Sequence, residues 1–571
     1  MHQPVMSSKE KPDTRIGSRR SRVISTLPAL SRSIELSLKD GGYDSDLLDR
    51  GRKLNALLDA QTQRHGDVEA PGREWLTMKS MVSEIFDYFG RFPEARKLFE
   101  RHGPEVWERV KRRKKAPPIT GLKTRRLARE EIRFCLEYAQ TFYRRHDYKE
   151  AEKIITTCQD VVINYIANEK TFPCHGTLAR ALYYLGRVYR QTNHYQDAEA
   201  CFVESIKNHR MRVEWKLGQA EGPETRELEA ERRFARYKSA VVMALGIGWV
   251  RYTTGALKAA RSYLEPARVL LLSTQDRINS AYVELISGAI DRSLAGRDTK
   301  RLGNARMLVE KAYTTFKEFG HEAYRARAAY ELSLLHLCTG DLQAAEREQE
   351  KVKFIAEHAE QRDARWFCNS LIVESRIRRE QRRYREAGEC ASGALKLADE
   401  YRQPLCRIDA LIARSEVRTL TGDFVGARAD LGEALSLNRQ HDSGRSSTPR
   451  SAETTNPKIE GLCNLRLAET YVLERNPRTA ERHLQRWQAV RDRVEHQTVR
   501  ELGEELEQKV RDLRPSFVID SDTLDLNAKN WHRELDRWLL REAEYRESRR
   551  GAQAKMLVMS RETHNKKRRR E

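Results

Sequence analysis

The sequence predicts an all-α protein: helical hairpins stacked into an α-α superhelix, with a small helical unit at the C-terminal end. Three observations predict it. A small residue recurs with an alanine twelve positions later, a turn-forming Gly or Asn recurs between the two, and proline is scarce at 16 of 571 residues.

The small-to-Ala spacing occurs eight times, at Ser83/Ala95, Ala139/Ala151, Gly186/Ala198, Gly248/Ala260, Ser333/Ala345, Ser375/Ala387, Ser415/Ala427 and Ala468/Ala480. Two antiparallel helices approach closely only where small side chains face each other at the crossing. A ninth unit, around Gly288 and Ala305, carries an insertion at Arg297–Lys300. Between the pairs fall Gly90, Asn193, Gly255, Gly340 and Gly422. Gly, and to a lesser degree Asn, supplies the left-handed conformation that ends a helix.

The copy at residues 182–205 is the fullest. Leu182, Leu185, Gly186 and Tyr189 mark one helix face, and Ala198, Phe202 and Ser205 the next. Tyr195-Gln196-Asp197-Ala198 stands at the entry to the second helix. This segment resembles a tetratricopeptide (TPR) motif, and the resemblance extends over roughly residues 75–492. Copies are 40 or 42 residues apart in the C-terminal half and 62 from Gly186 to Gly248, against about 34 in strict TPR. The array is therefore similar to the degenerate TPR-like superhelices of bacterial regulators. Such a superhelix has a concave face lined mainly by the first helix of each pair, suited to peptides or partner helices. Polar residues expected on first helices, and hence as peptide-binding residues, are Arg187, Arg190, Arg251, Glu374, Arg414 and Glu469.

Charge is concentrated. Of the net +22, residues 1–39 carry +5, 109–126 carry +9 and 545–571 carry +7. Basic patches on a nearly neutral body suit phosphate or an acidic partner. The expected organisation is a basic disordered tail over 1–40 and an N-terminal helical region with the first repeat over 41–106. A basic linker follows over 107–127, then the superhelix over 128–513 with a mobile loop at 441–457. A separate unit occupies 514–571.

That last unit reads Ala552, Ala554, Leu557, Met559, Ser560, Arg561, Thr563 and Lys566 at spacings that resemble a Fis-type helix-turn-helix. Val558 replaces the turn glycine, and His564 replaces an apolar residue. The resemblance implies DNA binding, possible homodimerisation and a role in bacterial transcription regulation. Ser560 would cap the recognition helix. Arg561, Thr563, Asn565 and Lys566 would face the major groove, with Arg568 and Arg569 on the backbone. The alternatives are an interaction scaffold with basic ends and a non-specific nucleic-acid binder. They differ in salt dependence and sequence preference.

No G-x-x-x-x-G-K, H-E-x-x-H, G-x-S-x-G or G-x-G-x-x-G motif occurs, and Gly246-Ile247-Gly248 reads as helix packing. The nine cysteines form no CxxC and read as buried thiols of a reducing compartment. No apolar run reaches the ~18 residues of a membrane span. The expectation is a cytoplasmic, non-enzymatic protein without cofactor or metal.

Overall fold

The computed structural model describes residues 27–38, 45–65, 72–115, 122–168, 174–217, 226–274, 276–358, 364–439 and 455–513. All its regular elements there are helical. The chain divides into two compact units, Met1–Arg511 and Asp512–Glu571. The expected helix-turn-helix, with Ser560, Arg561, Thr563, Asn565, Lys566, Arg568 and Arg569, lies outside the described residues.

Helix α1 covers 27–38, α2 Ser45–His65, α3 Arg73–Tyr88, α4 Phe92–Lys97 and α5 Gly103–Lys115. Two expectations are corrected here. The tail expected over 1–40 contains α1, where Leu27, Ile34 and Leu38 are buried on one face. The basic composition masked that helical spacing. The linker expected over 107–127 is helical over most of its length, because α5 buries Val106, Trp107 and Val110. Its charges occupy the opposite face. A single apolar cluster runs from Leu27 to Leu335, so the first repeat shares its core with the array.

The hairpins follow in order. They are α6 (Leu122–Arg144) with α7 (Tyr148–Asn168), and α8 (His175–Gln191) with α9 (Tyr195–Leu217). Next, α10 (Arg226–Val241) continues through a π-helical stretch, Val242–Gly248, into α11 (Trp249–Thr254), and pairs with α12 (Leu257–Leu272). Then come α13 (Arg277–Ala295) with α14 (Thr299–Glu318), and α15 (Glu322–Thr339) with α16 (Leu342–His358). The array ends with α17 (Ala364–Glu380) and α18 (Tyr384–Glu400), α19 (Pro404–Leu420) and α20 (Phe424–Arg439), α21 (Pro457–Leu473) and α22 (Pro477–Arg491), and finally α23 (Gln497–Leu513). The 62-residue gap after Gly186 is filled by the long α9 and the added α10.

The twelve-residue spacing is a contact. Ser333 Oγ donates to the Ala345 carbonyl at 2.9 Å, and Ser375 Oγ to that of Ala387 at 2.8 Å. A Cβ on Gly186 would stand 2.7 Å from Phe202, and one on Gly246 2.8 Å from the same ring. The glycines of Gly246-Ile247-Gly248 therefore serve packing, as the sequence suggests. Gly90, Asn193, Gly255, Gly340 and Gly422 all adopt positive φ, from 69° to 89°. The loop expected over 441–457 ends in fixed structure: Asn456 is buried and its side chain caps α21. The rest of it lies outside the described residues.

The superhelix also contacts itself over long sequence distances. Phe89 packs against Phe319 with ring centres 6.1 Å apart, and Gly90 sits beside His321. Glu495 N donates to the Gly255 carbonyl at 3.0 Å, and Arg365 donates to Gln191 Oε1 at 3.0 Å. The end is closed by α23, which packs its Gly503 against Trp487. Of the nine cysteines, six are buried, two are half-buried and Cys338 is exposed, all as free thiols. No described helix is long and apolar enough to cross a membrane.

Candidate functional site

Close packing of the outer helices leaves the first helices of successive hairpins around an inner cavity of about 560 Å³. Its walls come chiefly from α3, α6, α8, the α10–α11 helix, α13 and α15. Nine arginines and two lysines line it against four carboxylates, and twelve Tyr, Phe and Trp side chains stand between them.

Most of the cations are matched. Glu84 accepts from Arg180 at 2.9 Å and from Lys238 at 2.8 Å. Both cations hold its carboxyl well below the usual range, against burial that raises it. Arg180 also donates to Glu137 at 2.7 Å, which accepts in addition from the Tyr184 hydroxyl at 2.9 Å. Arg144 grips both oxygens of Asp87, and Arg212 pairs with Glu231 at 2.8 Å. His209 is pushed down to about 3 by burial and by Lys238 and Arg212, so it is neutral at physiological pH.

Three arginines differ. Arg187 has only Asp87 at 4.0 Å as a counter-charge and lies over the Tyr143 ring at 4.6 Å. Arg190 donates to the Leu245 carbonyl at 2.6 Å and lies 5.7 Å from the centre of Trp249. Leu245 belongs to the π-helical stretch, a feature frequent at functional sites. Arg327 donates to the Tyr282 hydroxyl at 2.7 Å and stacks over Trp249 at 3.3 Å. Both Arg190 and Arg327 are more than nine-tenths buried. Arg190 Nε and Arg327 Nη2 are buried donors that meet no acceptor. Tyr143 feels the resulting field. Burial raises its phenol, yet Arg187, Arg190 and Arg144 pull it well below its ordinary value.

Of the six residues expected to bind peptide, Arg187 and Arg190 line the cavity. The other four do not. Arg251 pairs with Glu199, and Glu374 with Arg378 at 3.4 Å. Arg414 makes a two-bonded pair with Asp430, and Glu469 accepts from Arg466 at 2.8 Å. Sequence reasoning missed Arg180, Trp249 and Arg327. A signal for two of them existed: Arg133, Arg180 and Arg327 each stand six residues before the small residue of their repeat (Ala139, Gly186 and Ser333). That register faces the cavity.

Comparison with known proteins matches the tetratricopeptide repeat family over residues 179–209, the α8–α9 hairpin. No curated protein matches the chain. Among solved structures, a Rap protein complexed with Competence and Sporulation Factor aligns over 68% of this chain and 100% of its own, at 10% identity and TM-score 0.39. Aspartyl phosphate phosphatase F from Bacillus subtilis aligns over 70% and 97%, at 12% identity and TM-score 0.34. Yeast Tom70 aligns over 89% and 96%, at 12% identity and TM-score 0.36. With its matched repeat and its stacked hairpins, the chain is a TPR-like repeat protein.

Proposed function

We propose that this chain is a non-catalytic binding protein whose inner cavity takes a peptide segment of a partner, in a regulatory role. The cavity itself carries the reading. Its volume falls within the ~300–1,000 Å³ typical of ligand sites, so it suits a short extended segment rather than a folded domain. Its walls are rigid first helices, and its rings and guanidinium groups are types enriched where proteins bind proteins. The test is selection of a random peptide library on the full chain. Enrichment of a consensus that the Trp249→Ala variant fails to retain supports the reading, and no enrichment refutes it.

The finer part of the proposal is that residues 514–571 hold DNA, as a homodimer by the Fis-type resemblance, making the chain a transcription regulator. The motif at Ser560–Lys566 and the basic run after it support this. A selection of randomised DNA at ~150 mM salt, with the full chain and a version ending at Leu513, tests it. A motif enriched by the full chain alone supports it.

A scaffold that uses no nucleic acid is the second reading, and one observation favours it over non-specific nucleic-acid binding. Charges of the 109–126 patch are engaged within the protein. Arg109 and Arg113 both meet Glu131, at 3.1 and 2.6 Å, Lys111 meets Glu108, and Lys114 meets Asp160 at 2.7 Å.

A further inference from the structure

We propose that the cavity recognises an oxyanion carried by the bound peptide, a carboxylate or a phosphoryl group, seated among Arg187, Arg190 and Arg327 against the rings of Trp249 and Tyr143. The proposal rests on the peptide-binding reading above and specifies the chemistry of its ligand.

Charge balance is the first argument. Arg144, Arg180, Arg212 and Lys238 each have a carboxylate within 3.0 Å, so they hold the wall together rather than attract a ligand. Across the three remaining arginines the nearest carboxylate is Asp87, 4.0 Å from Arg187 and already gripped by Arg144. Uncompensated positive charge thus gathers at one part of the cavity.

Hydrogen bonding is the second. A guanidinium has five donors in a fixed fork and no acceptor. Arg190 spends a donor on a carbonyl and Arg327 one on a phenol, and each retains a buried donor with no acceptor. Buried donors are satisfied in most proteins, and an unmet one calls for an explanation. A neutral or cationic ligand would leave that demand in place. A two-oxygen anion answers it with short, charge-assisted bonds of the two-pronged kind that arginine favours.

Geometry is the third. Trp249 carries Arg327 at 3.3 Å and has Arg190 at 5.7 Å, so one ring steers two guanidinium groups. Tyr143 does the same for Arg187, at 4.6 Å. Stacking holds the forks in place before ligand arrives, which lowers the entropy lost on binding. The field that already draws down the Tyr143 phenol is the field an anion would meet.

The test uses the full chain and three labelled hexapeptide pools, alike except that one position holds Glu, phosphoserine or Gln. Binding is read by fluorescence anisotropy. The Glu or the phosphoserine pool should bind at least ~10-fold more tightly than the Gln pool, and whichever is tighter names the source of the oxyanion. The preference should fall on the order of 30-fold in the double variant Arg190→Gln, Arg327→Gln, with circular dichroism unchanged. Should that variant misfold, Tyr143 provides a readout without mutation. Its tyrosinate absorbance should decrease as the charged pool saturates the site, because the anion neutralises the arginines. Equal binding of all three pools, with no change at Tyr143, would overturn the oxyanion while leaving peptide binding intact. Failure of every pool to bind would overturn both readings.

Discussion

The guanidinium of Arg327 lies 3.3 Å from the centre of the Trp249 ring, and its Nη2 is buried without an acceptor. The two residues come from different hairpins, on α15 and α11. Their stacking fixes a cation at the inner wall of the superhelix where no carboxylate neutralises it. A stability argument alone does not account for that arrangement, since a buried charge without a partner opposes folding.

Arg327→Met should therefore change stability little. Stacking and the Tyr282 bond are lost, about 1 kcal/mol each, while relief of the unmet donor returns about 1–3 kcal/mol. The urea midpoint should move by less than the equivalent of about 1 kcal/mol. A loss above about 3 kcal/mol would mean that Arg327 is structural.

Glu416 provides the contrast. It is buried and receives both Arg379 and Arg466, the latter at 2.7 Å. Burial raises its carboxyl, but the two cations hold it down at about 2. Glu416→Leu strands both arginines and should cost about 3–5 kcal/mol, read by urea denaturation. The contribution of its ionised form is complete above the unfolded value near 4.5 and is lost as pH falls toward 2. Wild type should lose stability across that window more steeply than the variant.

Tyr143 should titrate below the other tyrosines. Its folded value lies under the unfolded value of about 10, because Arg187, Arg190 and Arg144 favour the phenolate more than burial opposes it. Its ionisation then contributes stability that is full above about pH 10 and vanishes as pH falls through the lowered folded value. Comparison of wild type with Tyr143→Phe by ultraviolet titration checks this. Identical titration curves would contradict it.

Packing at the hairpin crossings predicts two opposite outcomes for glycine. A Cβ on Gly288 would lie 2.6 Å from Val309 and 2.9 Å from the Ala305 carbonyl oxygen, which cannot move without the backbone. Gly288→Val should cost at least about 1–3 kcal/mol. Gly303 and Gly432 lie within helices with nothing near a new Cβ. Alanine at either should add about 0.5–1 kcal/mol in thermal unfolding.

Much of the fold was legible because its physics is local. Ser333 and Ala345 had to be small to touch, and Gly255 and Gly422 had to turn left-handed, so both signals stand in the chain at fixed spacing. The edges of the fold were less legible. At 27–38 and 103–115, dense charge suggested tail and linker, whereas Ile34 and Trp107 sit in a core whose other members are distant in sequence. The cavity was half legible. Arg187 and Arg190 share a helix face with Arg180, Tyr183 and Tyr184, a stripe that sequence can show. Trp249 joins them only because an extra helix and a π-helical stretch set its register. Glu374, Arg414 and Glu469 misled because a polar residue on a first helix can equally meet a neighbour's opposite charge.

The central claim is that the inner wall, and not the outer helices, receives the ligand. It is tested most directly by cross-linking a benzophenone-bearing peptide, taken from the library selection, to the full chain and mapping the sites by mass spectrometry. The account predicts cross-links at cavity residues such as Tyr183, Trp249 and Tyr282, suppressed by excess unlabelled peptide. Cross-links confined to outer helices such as α14, α16 and α18 would contradict it.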